Sequence, residues 1–149
     1  MPFRKVLCPV DFSDSSRAAL ETAVQLTRDL GAQLVIAHVW EVPLRAVYAE
    51  LLREAEPLAP IVAREEEQLA QLAREAAQLG AKAVETKMLF GVAWDAIAQE
   101  TRSGAGYDLV VVGTHGRTGI KDALIGSTAE RVARHAGCPV LLVRAKASP

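Results

Sequence analysis

Residues 107–144, YDLVVVGTHGRTGIKDALIGSTAERVARHAGCPVLLVR, read as a buried strand, a glycine-punctuated loop, a helix and a second buried strand. Two residues separate Gly113 from Gly116, and nine more lie between Gly116 and the pair Gly126-Ser127. Glycine at a strand exit lets the backbone turn sharply and come close to a ligand, because no Cβ stands in the way. A helix that opens beside such a loop offers N–H groups and the positive end of its dipole to an anion. The stretch predicts an anion cradle at the carboxyl edge of a sheet.

The rest of the chain repeats the same alternation. Phe3 to Val10 is a short apolar run with β-branched content, and Pro9 is expected where its ladder bonding ends. Ser13-Asp14 starts a helix with Ala18, Ala19, Ala23, Leu26 and Leu30 at helical spacing, and Gly31 stops it. QLVIAHV, from Gln33 to Val39, is too uniformly apolar to be half-exposed, as in a parallel sheet covered on both faces. In the irregular stretch 40–60, Pro43, Pro57 and Pro60 bracket a short helix with Tyr48, Leu51 and Leu52. Ile61 to Leu79 is an amphipathic helix with Val62, Leu69, Leu72, Ala76 and Leu79 on its apolar stripe. Glu65, Glu66 and Glu67 near its start are read as a solvated face that suits the dipole. A strand from Ala83 to Phe90, a helix from Val92 to Thr101 and a strand from Tyr107 to Val112 follow. A last helix runs from Ser127 to Gly137, and a last strand from Pro139 to Arg144. Five strands alternating with helices predict an α/β doubly wound parallel sheet, helices on both faces, in one domain spanning residues 1–149. Ligands of such sheets bind beyond the carboxyl ends of strands where the order reverses, which marks Asp11, Val39, Gly91 and Gly113 for inspection.

Bulk composition removes several classes. Half of the 149 residues are apolar and the net charge is −1, with acids and bases interspersed. Neither a nucleic-acid stripe nor a polybasic membrane anchor is expected. No apolar run approaches a membrane span and the chain opens directly into a strand pattern, so the cytoplasm is the expected location. Cys8 and Cys138 lie in or beside apolar strands at no metal-binding spacing, as buried inert thiols do.

Familiar catalytic signatures are missing. No Gly-x-x-x-x-Gly-Lys-Ser/Thr run exists, and the first strand exits into PVDFSDSS, without the glycines of a dinucleotide fold. A phospho-accepting receiver would need an Asp where the third strand ends in Met88-Leu89-Phe90-Gly91. Asp11 is either a turn residue starting the first helix or a carboxylate able to accept from a base or sugar or to help hold a cation. Ser127 and Glu130 have the spacing of a capping box, which accounts for Ser127 without a ligand. Arg117, beside Gly116, is a surface residue or a phosphate partner. His38 is expected to be a hydrogen-bonded core residue, His115 either a phosphate partner or simply a mobile loop histidine, and His135 a complement to its helix dipole. No triad or metal-ligand spacing stands out, and no cofactor metal site is expected from the protein alone.

With VLCPVDFSDSS at the first strand, LVIAHVW at the second, VVVGTHGRTG…LIGSTAERV at the fourth strand and helix, and CPVLLVR, the chain resembles the universal stress protein family along nearly its whole length. The resemblance implies an adenine-nucleotide alpha-hydrolase-like, Rossmann-like fold with strand order 3-2-1-4-5. The ATP-binding branch carries Gly-x-x-Gly, nine residues, then Gly-Ser/Thr, which Gly113, Gly116, Gly126 and Ser127 match. Carried over, Asp11 and the main chain of Pro9 and Val39 surround adenine and ribose. Val112, Gly113, Thr114, Gly116, Arg117 and Thr118, with Gly126, Ser127 and Thr128, wrap ribose and phosphates. The implied ligand is ATP with Mg or Mn, and the implied assembly a homodimer through the Val140–Arg144 strand, where an apolar sheet edge invites a partner strand. A further protein partner is open, as is the choice among a nucleotide switch, a slow ATPase or phosphotransferase using His115 or Asp11, and a nucleotide-free interaction dimer.

Overall fold

A computed structural model describes residues 3–41, 59–115 and 125–145. Its elements are β1 (Lys5–Pro9), α1 (Asp14–Leu30), β2 (Gln33–Trp40), α2 (Ala59–Gln78), β3 (Val84–Phe90), α3 (Ala93–Arg102), β4 (Leu109–Gly113), α4 (Ser127–His135) and β5 (Val140–Val143). The short helix expected around Tyr48 falls outside the described residues. All strand pairings are parallel, in the order β3-β2-β1-β4-β5, as the resemblance implied.

Alternation along the central strands builds two cores. Val6, Cys8, Leu34 and Ile36 face α1 and α2, where they meet Leu20 and Leu69. Leu7, Val35, Ala37 and Val110 face the opposite layer with Ile97 and Val132. Both faces of β1, β2 and β4 are therefore covered, which is why these strands are written as continuous apolar runs. Pro9 ends β1 paired with Ala37, where its missing N–H interrupts nothing further. Burial pushes the Cys8 thiol up to about 12, in keeping with an inert core residue.

Helix boundaries follow their signals. Ser13 caps α1 by accepting the Ser16 N–H, and Gly31 closes it in the left-handed region at φ 66°. Two expectations for α2 fail. Leu79 lies beyond the helix and is 57% exposed, while Leu69, Leu72 and Ala76 carry the buried stripe. Because α2 begins at Ala59, Glu65 to Glu67 miss the first turn, and Glu65 turns inward to bond His38 instead of facing solvent. Its Cβ direction on the helix, one residue away from that of Glu66 and two from that of Glu67, puts it alone of the three over the sheet.

The other layer holds a polar cluster. Glu100 accepts from Lys87 Nζ and from the Tyr107 hydroxyl, at 2.8 and 2.7 Å. Burial by itself would raise the Glu100 carboxyl, but those hydrogen bonds and the charges of Lys87 and Lys5 hold it below the ordinary range. Burial first, then the bond to Glu100, pushes the Tyr107 phenol up. A depressed carboxyl stabilises the fold at neutral pH and loses that contribution as pH falls through its folded value.

The outer strands differ. β3 is largely exposed, with Glu85 and Lys87 along it, whereas β5 is apolar and shows Leu141 at 37% exposure. Among the described residues, no helix is long and apolar enough to cross a membrane.

Candidate functional site

The reversal of strand order falls between β1 and β4, so the carboxyl ends of these neighbours open side by side. Beyond β1, Val10 stays on the sheet through its N–H to the Ala37 carbonyl. Asp11 then folds back as an Asx turn, one carboxylate oxygen accepting from the Ser13 N–H at 3.0 Å and from the Ser13 hydroxyl. Its own N–H donates to Ser16 Oγ at 3.3 Å. Between them Phe12 is left-handed at φ 65°, rare for an aromatic residue.

Beyond β4, the loop is tied to α1 and to α4. The His115 N–H donates to Ser15 Oγ at 3.1 Å, and the Thr114 N–H to the Val143 carbonyl at 3.0 Å. Thr114 is 3% exposed, and its hydroxyl meets His115 Nδ1 at 3.0 Å. The Thr114 carbonyl accepts the Gly126 N–H, which brings the start of α4 against the end of β4. Glu130 is the first residue to bond back along α4, to the Gly126 carbonyl. The N–H groups of Ser127, Thr128 and Ala129 precede that ladder, at the positive end of the helix.

Of the residues expected at this edge, Pro9, Asp11, Gly113, Thr114, Gly126, Ser127 and Thr128 occupy strand exits or the α4 start that meets them. Val112 is 7% exposed inside β4, and Val39 is half-buried on β2 beside Leu89 of β3. Gly116, Arg117 and Thr118 lie outside the described residues. Gly113 at the end of β4 and Gly126 before α4 both sit close against neighbouring backbone. A Cβ on Gly113 would stand 2.5–2.7 Å from Ser15 atoms, two of them backbone. Gly126 has an ordinary φ of −70°, so its need for glycine is closeness to the Thr114 carbonyl, 3.0 Å from where a Cβ would sit, and not left-handed backbone.

The capping box is not formed. Gly126 is the N-cap, Ser127 is the first helical residue, and Glu130 pairs with Arg134 at 2.8 Å. A cap side chain must stand one residue before the helix, and the tight Gly126–Thr114 contact takes that place. Ser127→Ala is therefore expected to change unfolding free energy by no more than about 0.5 kcal/mol. Denaturant titration checks this, and a loss near 1 kcal/mol would reinstate a capping role.

Sequence reasoning missed Ser15, Ser16, Phe12 and Glu65. The run Ser13-Asp14-Ser15-Ser16 signalled a helix start, but not that three serines take three tasks: capping α1, holding the His115 N–H and holding the Asp11 N–H. Among the described residues, hollows lie on the α2 side of the sheet. One of about 300 Å³ between α1 and α2 reaches Phe12 and Ser13, and one of about 430 Å³ lies between α2 and β3 near Thr86 and Met88. Among the described residues no cluster of His, Cys, Asp and Glu is arranged to hold a metal ion.

Comparison with known proteins agrees with this architecture. The model of the universal stress protein family matches residues 2–144. Universal stress protein MJ0531 of Methanocaldococcus jannaschii is 33% identical over 144 residues, covering 95% of this chain and 82% of its own length. Universal stress protein UspA from Lactobacillus plantarum has a solved structure similar to this one, with a TM-score of 0.82 at 27% identity, over 97% of this chain and 99% of that one. The crystal structure of a universal stress protein in complex with cAMP gives a TM-score of 0.72 at 29% identity, over 98% and 100% of the two chains.

Proposed function

The chain belongs to the universal stress protein family, and on that premise we propose that it binds an adenine nucleotide across the carboxyl ends of β1 and β4. The nucleotide is ATP, with magnesium or manganese carried on its phosphates, in a cytoplasmic protein. It acts by setting a conformation or a partner interaction and not by rapid turnover. One observation carries the reading: Gly126 draws the positive end of α4 onto the exit of β4, beside the exit of β1 that carries Asp11. N–H groups at a helix start suit phosphate oxygens, and a carboxylate at the neighbouring strand end suits the donors of a ribose or base. The relative solved with cAMP supports the adenine part.

Saturating Mg-ATP is expected to stabilise nucleotide-free protein, by about 2.7 kcal/mol at 100 times the dissociation constant. Thermal melts with and without the nucleotide measure it, and an unmoved melt refutes ATP binding. Steady turnover faster than about 1 s⁻¹ in the same samples would favour an ATPase over a switch.

The proposed assembly is a homodimer in which the β5 edges pair. Val110 of β4 and Thr114 just beyond it donate to the carbonyls of Pro139 and Val143, so by the alternation of a ladder Leu142 turns its N–H to the open side. Leu142→Pro removes that outward donor while sparing the bonds to β4. The expected outcome is a folded monomer by light scattering, and an unchanged dimer mass in the folded variant would exclude this edge.

A further inference from the structure

His38 has a task on β2 that neither packing nor the nucleotide reading accounts for. It is 4% exposed, and both of its ring nitrogens face acceptors. Nδ1 lies 2.7 Å from the Val10 carbonyl, and Nε2 lies 2.7 Å from a carboxylate oxygen of Glu65 on α2. A carbonyl only accepts, and an ionised carboxylate only accepts. Both contacts are therefore satisfied by an imidazolium against a carboxylate, or by a neutral ring accepting from a protonated Glu65. The Phe12 ring lies over the same imidazole, with centroids 4.5 Å apart.

We propose that the His38–Glu65 pair is a positioning device for the Asp11 loop, which it braces from behind and ties to α2. The proposal rests on the reading of this edge as a nucleotide site. Val10 is held to β2 twice, by its N–H on the Ala37 carbonyl and by its carbonyl on His38. Two residues on, Phe12 is left-handed, a conformation that persists only where surroundings over-determine it. His38 touches the chain on both sides of Asp11, at the Val10 carbonyl and at the Phe12 ring. Glu65 fixes which ring nitrogens carry protons and so keeps Nδ1 aimed at Val10. Without the carboxylate a neutral ring can still donate from Nδ1 to Val10, but nothing then holds its far side to α2 or selects that nitrogen for the proton, and the brace behind the turn that presents Asp11 is loosened. His38 and Glu65 act through Asp11, with no contact to the nucleotide required of them.

The test uses the full chain, labelled with ¹⁵N, as wild type, Glu65→Gln and Glu65→Leu. Imidazole and amide spectra are recorded without nucleotide, followed by calorimetric titration with Mg-ATP. In the wild type, proton-coupled ring signals are expected to show hydrogen on Nδ1 and Nε2 together, or on Nδ1 alone with Glu65 protonated. In Glu65→Leu the amides of Asp11, Phe12 and Ser13 shift while that of Leu141 on β5 stays. ATP affinity then falls about tenfold, the loss expected for one hydrogen bond to a charged group. Glu65→Gln, which keeps an acceptor without the charge, falls between the two; should Glu65→Leu fail to fold, it carries the comparison alone. Unmoved Asp11–Ser13 amides, or wild-type ATP affinity in a folded variant, overturn the proposal. A wild type that binds no ATP refutes the nucleotide reading instead, and the loop amides then decide the brace by themselves.

Discussion

Replacing Gly113 by alanine is expected to lower the melting temperature by roughly 10 °C, equivalent to about 3 kcal/mol. The added Cβ would lie 2.5 Å from Ser15 Oγ, 2.6 Å from the Ser15 carbonyl oxygen and 2.7 Å from its carbon. A hydroxyl can rotate away, but the carbonyl belongs to the first turn of α1 and moves only if the helix moves. Shifting α1 off β4 opens the core around Ala19 and breaks the bond from the His115 N–H to Ser15. Scanning calorimetry measures the loss. Adding Ser15→Ala to the variant should restore little, because two of the three clashing atoms are backbone. A double variant that melts like the wild type would trace the clash to the hydroxyl alone.

Gly126→Val is expected to act on the ligand more than on the fold, weakening ATP binding about 100-fold, or roughly 2.7 kcal/mol. A Cβ there meets the Thr114 carbonyl oxygen at 3.0 Å and the His115 Cα at 3.5 Å, contacts that a few tenths of an ångström relieve. Its φ of −70° is one that valine adopts freely. The branched side chain would crowd the α4 start against β4 and fill the space before the Ser127 and Thr128 N–H groups, where the proposed nucleotide would place its phosphates. Losing two such charge-assisted contacts accounts for the magnitude. Calorimetric titration and melting on one sample decide it. Wild-type affinity would remove the α4 start from the site, and a melt as low as that of Gly113→Ala would make Gly126 a packing residue only.

Gly113 and Gly126 also mark how far the sequence could be read. Strand and helix order was legible because apolar runs, glycine stops and the Ser13 cap are local signals. The spacing of Gly113 and Gly126-Ser127 located the edge, since it records a loop length and a helix start. What the glycines do was not legible, because the atoms that crowd them belong to Ser15, about a hundred residues away in the chain, and to Thr114. Ser127 with Glu130 satisfied a local rule that a tertiary contact overrode. Glu65 was hidden in a run of three glutamates, and only the seating of α2 on the sheet distinguishes it from its neighbours.

An open sheet has two ends, and growth of an assembly depends on both. In this chain they are unlike: β5 is short and apolar, while β3 shows Glu85, which accepts from Gln33, and Lys87, which is committed to Glu100. Charges on an outer strand discourage another strand from adding there. If two copies join through β5 by a twofold axis, each spends its receptive end on the other, and what remains outward is the guarded one. The association closes at two copies, whereas two receptive ends would propagate a fibre.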